Sequence, residues 1–174
     1  MTSILWELLR PKRTVFVSYH HGNDRNYYDE FERIFADAYE AIEDNSVDRL
    51  IDSADADYVI RKIRENYITG TSCTIVLCGS ETPWRKFVDW EIKATLDKQH
   101  GLIGVNLPTN PLTPNRTYTV PDRLYDNSQR GYALWIQWSQ LLARPDFLTQ
   151  QIELANKQPA RLMNNSRDLR RRNG

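Results

Sequence analysis

Glu91 is the residue in this sequence whose setting asks for chemistry. On a helix starting near Lys86, at roughly 100° per residue, it falls in the middle of the face made by Phe87, Val88, Ala94 and Thr95. Lys86, Asp89, Lys93 and Asp97 collect on the opposite side, which would be the solvated one. A carboxylate inside an apolar stripe has to be paired, protonated or held against a ligand. A salt-bridged or snorkelling glutamate at the edge of the stripe gives the same pattern, so the spacing leaves both readings open.

Two polar turns are the next candidates. Ser18, Tyr19, His20, His21, Gly22, Asn23 and Asp24 follow one apolar run, and Gly79, Ser80, Glu81, Thr82, Pro83 and Trp84 follow another; each leads into a helix. Exposed backbone N–H groups and a positive helix end favour a phosphate or similar anion at such places. Ser18, Tyr19, Asp24, Ser80 and Trp84 are therefore candidate substrate contacts. Capping and turn chemistry alone would account for Asn23, Asp24 and Thr82. Neither turn is a Walker A loop or a G-x-G-x-x-G fingerprint, which argues against P-loop and dinucleotide-redox readings. No His, Cys, Asp and Glu set has metal-ligand spacing, so no metal is expected.

These residues must be positioned by the surrounding elements. Thr14 to Tyr19, Cys73 to Gly79, Leu102 to Leu107 and Tyr132 to Trp138 read as buried strands, the middle two nearly continuous in apolar residues, as in a parallel sheet covered on both faces. Helical spacing runs from Tyr27 to Ile42, from about Ala56 to Tyr67 with Gly70 as the stop, and from about Lys86 to Lys98. The alternation predicts right-handed βαβ crossovers and a doubly wound sheet, in which ligands bind at the carboxyl ends of the strands. A second strand has only Arg49 to Ser53 as a candidate. Pro108 to Tyr125, with four prolines, reads as a loop insertion and a possible lid. The chain is expected to form a single domain over residues 1–163 with its core at 12–107, followed by a basic, disordered tail over 164–174. For Glu91 to meet a ligand at the strand ends, Ser80 to Arg85 should be mostly loop with Trp84 turned toward the cleft, and regular helix should start near Lys86.

Bulk properties narrow the class. Lys plus Arg (23) and Asp plus Glu (23) cancel, leaving no basic field for a nucleic-acid backbone. No signal peptide is evident, and no segment approaches the ~20 apolar residues of a membrane span. Cys73 and Cys78 would point to opposite faces of one strand as reduced core residues. The reading is a cytoplasmic protein with neither nucleic acid nor membrane as partner.

The blocks VFVSYHHGND (Val15 to Asp24), YVIRKIRENYITGTSCTIVLCGSET (Tyr58 to Thr82) and WRKFVDWEIKATL (Trp84 to Leu96) resemble the TIR-like family that includes the signal-producing subunit of Thoeris anti-phage systems. The resemblance covers roughly Lys12 to Leu107. It implies a flavodoxin-like α/β three-layer sandwich with a mostly parallel sheet, and cleavage of NAD, the substrate, between nicotinamide and ribose without a further cofactor. The family's catalytic glutamate matches Glu91, in Asp89-Trp90-Glu91-Ile92, and its histidine matches His20. The implied product is a cyclic ADP-ribose isomer or an ADP-ribose conjugate that activates a separate effector protein. Phe87 stands where many relatives have Trp, and the proline-rich segment is a further departure. A non-catalytic TIR-like interaction module is the alternative, and self-association is left open.

Overall fold

The computed structural model of the chain describes residues 12–45 and 55–174. Five strands form one all-parallel sheet: β1 (Arg13–Ser18), β2 (Tyr39–Ile42), β3 (Cys73–Cys78), β4 (Gly101–Asn106) and β5 (Leu134–Gln137), in the order β2-β1-β3-β4-β5. Strand order reverses between β1 and β3, which is the flavodoxin-like switch point. The registers Phe16 with Thr74 and Ser18 with Val76 set the two strand ends side by side there.

Period-two alternation in β1 sorts its side chains. Val15, Val17 and Tyr19 pack with Tyr28, Phe31 and Phe35 of α1 (Arg25–Phe35) and with Leu148 and Ile152 of α6 (Phe147–Asn156). Phe16 faces the other side, against α2 (Ala56–Ile63) and α3 (Lys86–Asp97). β3 and β4 are buried along their whole length, which is why their sequences run apolar without alternating. Cys73 belongs to the first layer's core and Cys78 to the second's; both are free, and burial pushes both thiols up.

Three expectations need correction. The first helix does not reach Ile42. It stops at Phe35, and Tyr39–Ile42 forms β2, with Tyr39 and Ala41 on one face of the sheet and Ile42 on the other. The apolar positions of this segment satisfy both periods, and pairing with β1 decides the outcome. The alternative second strand, Arg49 to Ser53, lies outside the described residues. Second, Pro108 to Tyr125 is not all loop. It is irregular up to Pro121, and α4 (Asp122–Gln129) begins right after it, ahead of α5 (Trp138–Ala143). The second helix passes into a π-turn, Arg64–Ile68, before Gly70 at φ +91°, and Tyr58 of the expected stripe is exposed while Ile60 is buried.

Third, the tail is packed. Arg123 is fully buried, and its guanidinium grips Asp89 through Nε at 2.8 Å and Nη2 at 3.3 Å. The Arg170 N–H donates to Asp89 at 2.8 Å, the Trp90 indole N–H donates to the Arg170 carbonyl at 2.9 Å, and the Lys86 N–H donates to Asn173 at 2.9 Å. Lys86 and Asp89 are therefore buried and not on a solvated face. The cause is Asp89 itself: a carboxylate on this side of α3 is stable only when donors cover it, and Arg123 and the tail backbone supply them. Among the described residues, no helix is long and apolar enough to cross a membrane.

Arg123→Ala should lower the unfolding free energy by about 3–5 kcal/mol, because it leaves Asp89 buried without its cation. Urea denaturation checks this, and a loss below about 1 kcal/mol would mean that Asp89 is solvated after all.

Candidate active site at the carboxyl ends of the strands

The segment before α3 decides where Glu91 sits. Thr82–Trp84 make one 3₁₀ turn, and Arg85 is extended at φ −95° and ψ 119°, so no continuous helix runs from Pro83. Regular helix starts at Lys86, as expected, and Glu91 stands about 8 Å along it at ~1.5 Å per residue. Thr95, one turn further on, is sealed to the sheet: its hydroxyl donates to the Glu91 carbonyl at 2.8 Å and lies 2.7 Å from the Thr74 hydroxyl. That row aims the Glu91 side chain at the end of β1, where Ser18 points to the same side as Phe16. The Ser18 hydroxyl donates to Glu91 Oε2. Glu91 is 0% exposed, so it does not snorkel at the stripe's edge; it is a buried, hydrogen-bonded carboxylate beside the switch point.

A second buried carboxylate lies at the same end of the sheet. Asp24 is at the N-cap of α1, yet its side chain makes no capping bond. It is only 2% exposed and accepts from the Thr109 hydroxyl at 3.2 Å. It also packs so closely on Gly79 that a methyl group there would collide with the carboxylate. Burial pushes the Asp24 carboxyl up; hydrogen bonds from Thr109 and Thr82 pull the other way, and the nearby Glu81 adds to the rise. Thr82 is held in turn by the Gly79 N–H at 2.9 Å, and Asn23 bridges to Glu81 at 2.8 Å. The loops after β1, β3 and β4 thus converge on Asp24.

The other expected contacts separate. Tyr19 points to the opposite face of the sheet from Ser18. Its hydroxyl donates to Glu43, Arg25 bonds Glu43 at 2.9 Å, and its ring stacks on Tyr28 at 4.9 Å. Burial, then Glu43, pushes the Tyr19 phenol far up. The His20 carbonyl accepts from the Asn23 and Asp24 N–H groups, and its imidazole lies over Gly22. His21 Nε2 is 3.6 Å from Glu43. Ser80 is exposed. Trp84 is 42% exposed, with the Arg170 guanidinium 5.5 Å from its ring centre, so the tail occupies a face expected for the cleft. Among the described residues, no group of three or more His, Cys, Asp or Glu could hold a metal ion.

Sequence reasoning missed Thr109 as a site residue, and it missed Glu43 and Arg25 entirely. Glu43 would have been found had Tyr39–Ile42 been read as a strand, since it is the first residue past that strand's carboxyl end. Thr109 carries no local signal, because its role comes from where the loop after β4 folds.

Comparison with known proteins bears on this arrangement. The family model described as the Thoeris protein ThsB, TIR-like domain, matches residues 16–111, more than half of the chain. The chain belongs to this family. The resemblance read from Lys12 to Leu107 is thereby borne out, and the five-stranded parallel sheet agrees with the flavodoxin-like fold it implied. The Thoeris TIR-like match contains Ser18, His20, Asp24, Thr82, Glu91 and Thr109 and leaves α4, α5, α6 and the tail outside. None of the curated proteins compared with the chain matches it.

Because the fold raises the Asp24 pKa, folding favours its protonated form. That favour is complete below the ordinary carboxylate range and is lost as pH rises through the raised value. Asp24→Asn should therefore raise the melting temperature at about pH 8 and change it little at about pH 4. Melting curves across that range check this, and a uniform shift at every pH would refute it.

Proposed function

We propose that this Thoeris TIR-like chain cleaves NAD at the bond between nicotinamide and ribose, and that Glu91 is the residue its chemistry depends on. The observation that carries the reading is a buried carboxylate beside the β1/β3 switch point, held by Ser18. The nicotinamide of NAD is a cationic leaving group. When the ribose C1′–N bond breaks, its electron pair neutralises the departing ring, so no general acid is needed, unlike a two-carboxylate glycosidase. What requires stabilisation is the oxocarbenium-like ribose left behind. A desolvated carboxylate close to it supplies that stabilisation at a strength water would not allow.

Ser18 is a positioning residue here: it fixes the Glu91 carboxylate until the ribose hydroxyls of NAD take over its hydrogen bond. Asp24, with Thr82 and Thr109 around it, offers polar contacts at the same end of the sheet. The ribosyl cation is then captured by water, by an adenine nitrogen, by a ribose hydroxyl or by a second small molecule, and the acceptor's proton leaves to solvent. Thr109 ties the loop after β4 down onto Asp24, which favours a closed pocket and capture by something other than water. The product is accordingly a cyclic ADP-ribose isomer or an ADP-ribose conjugate, acting on a separate effector in anti-phage defence. A second reading, a non-catalytic module that assembles with partners, is favoured by the complete cover over Glu91. Product analysis separates the two.

Glu91→Gln should keep the melting temperature while lowering NAD turnover about 10²-fold or more; activity that survives the substitution refutes the mechanism. His20→Ala should reduce cleavage more than His21→Ala, and equal losses would mean the turn matters and the imidazole does not. Mass spectrometry of lysates from phage-infected cells should show an ADP-ribose-derived signal with wild type and none with Glu91→Gln. Nicotinamide and linear ADP-ribose alone would rule out the signalling role but leave the cleavage standing.

A further inference from the structure

A cavity of about 530 Å³ lies between the tail and the start of α3, lined by Pro83, Asp89, Pro121 and Asp122 together with the arginines of the tail. It is separate from the strand-end site. Asp89, which lines it, lies about 200° around α3 from Glu91, at ~100° per residue.

Charge at the cavity is unevenly satisfied. Asp89 is neutralised by Arg123, and Arg167 is committed to Asp126 at 2.7 Å. Asp122 has both Arg167 and Arg170 near it, at the long distances of 3.8 and 3.7 Å. Arg171 and Arg172 line the same space, are exposed, and have no hydrogen-bond or ion-pair partner among the described residues. Against them stands one carboxylate without such a partner, Asp168. Two uncommitted guanidinium groups, with Arg170 beside them, present planar donor forks whose geometry matches phosphate oxygens two at a time. The cavity is of the size that takes a small ligand, and its character is set by the guanidinium groups that line it.

We propose that this cavity binds a small phosphorylated molecule of nucleotide size, its phosphates on Arg171 and Arg172. Arg170, which lines the cavity, also holds α3 in place through its backbone bonds to Asp89 and Trp90, so the ligand binds to the outer side of the helix that carries Glu91. The proposal stands or falls independently of NAD cleavage.

Isothermal titration calorimetry of the full chain tests it with inorganic pyrophosphate, ADP and adenosine. Pyrophosphate and ADP should bind saturably, more weakly as salt rises, and adenosine should bind at least about tenfold more weakly than ADP. The double variant R171A/R172A should weaken ADP binding about tenfold or more with its melting temperature unchanged, since both side chains are exposed and neither makes a hydrogen bond or ion pair among the described residues. E91Q should leave ADP binding as in wild type. Absence of saturable heat from both anions at about 1 mM, the scale of a weak specific site, would overturn the proposal. Binding unchanged in R171A/R172A, or lost in E91Q, would overturn it equally by placing the anion elsewhere.

Discussion

A carboxyl group leaves water only when hydrogen-bond partners replace the water it loses, and α3 carries two such groups on opposite sides. Glu91 faces the sheet and takes the Ser18 hydroxyl; Asp89 faces outward and takes Arg123 and the Arg170 N–H. Each commits a distant part of the chain to this one helix. Ser18 fixes the end of β1 against it, and Asp89 draws α4 and the tail over it. A helix covered on both sides cannot rotate to relieve one contact without breaking the other. Its Thr95 bond to Thr74 adds a third attachment in between.

The same helix joins the two parts of the chain. Residues 16–111, which match the Thoeris TIR-like family, contain the strand-end carboxylates and the loops around them. The C-terminal third supplies the outer cover: α6 on one face of the sheet, and α4 with the tail on the other. Convergence of three loops on Asp24 then sets the other limit of the site. Gly79 is required there because a larger residue would displace the carboxylate.

Much of this was legible in the sequence because burial leaves a periodic trace. Val88, Glu91 and Thr95 recur at helical spacing, so the pattern alone turns Glu91 toward the core-facing side of the helix. The start of the helix near Lys86 followed from the requirement that Glu91 reach the strand ends, since Thr82 and Pro83 by themselves would equally suit a helix start. The outward carboxylate was misread for the same reason: Lys86, Asp89, Lys93 and Asp97 form a polar stripe, and polarity does not reveal that a remote Arg123 will cover part of it. Tail residues such as Asn165 and Arg170 look solvated for their composition and are ordered by partners 68 and 81 positions away. Tyr39–Ile42 failed differently, since a short apolar run satisfies two periods and the neighbouring strand chooses between them.

Among the described residues, the sheet ends on both sides in strands of four residues, β2 and β5. An edge of that length exposes few unpaired backbone groups, and it offers a poor template for strand addition by another chain. Contacts between copies of this protein, in the crowded cell or in a concentrated sample, would therefore be made by side chains on helices and loops. Such contacts are reversible and depend on composition. The growing cross-strand stacks that an open sheet edge can seed are disfavoured by this architecture.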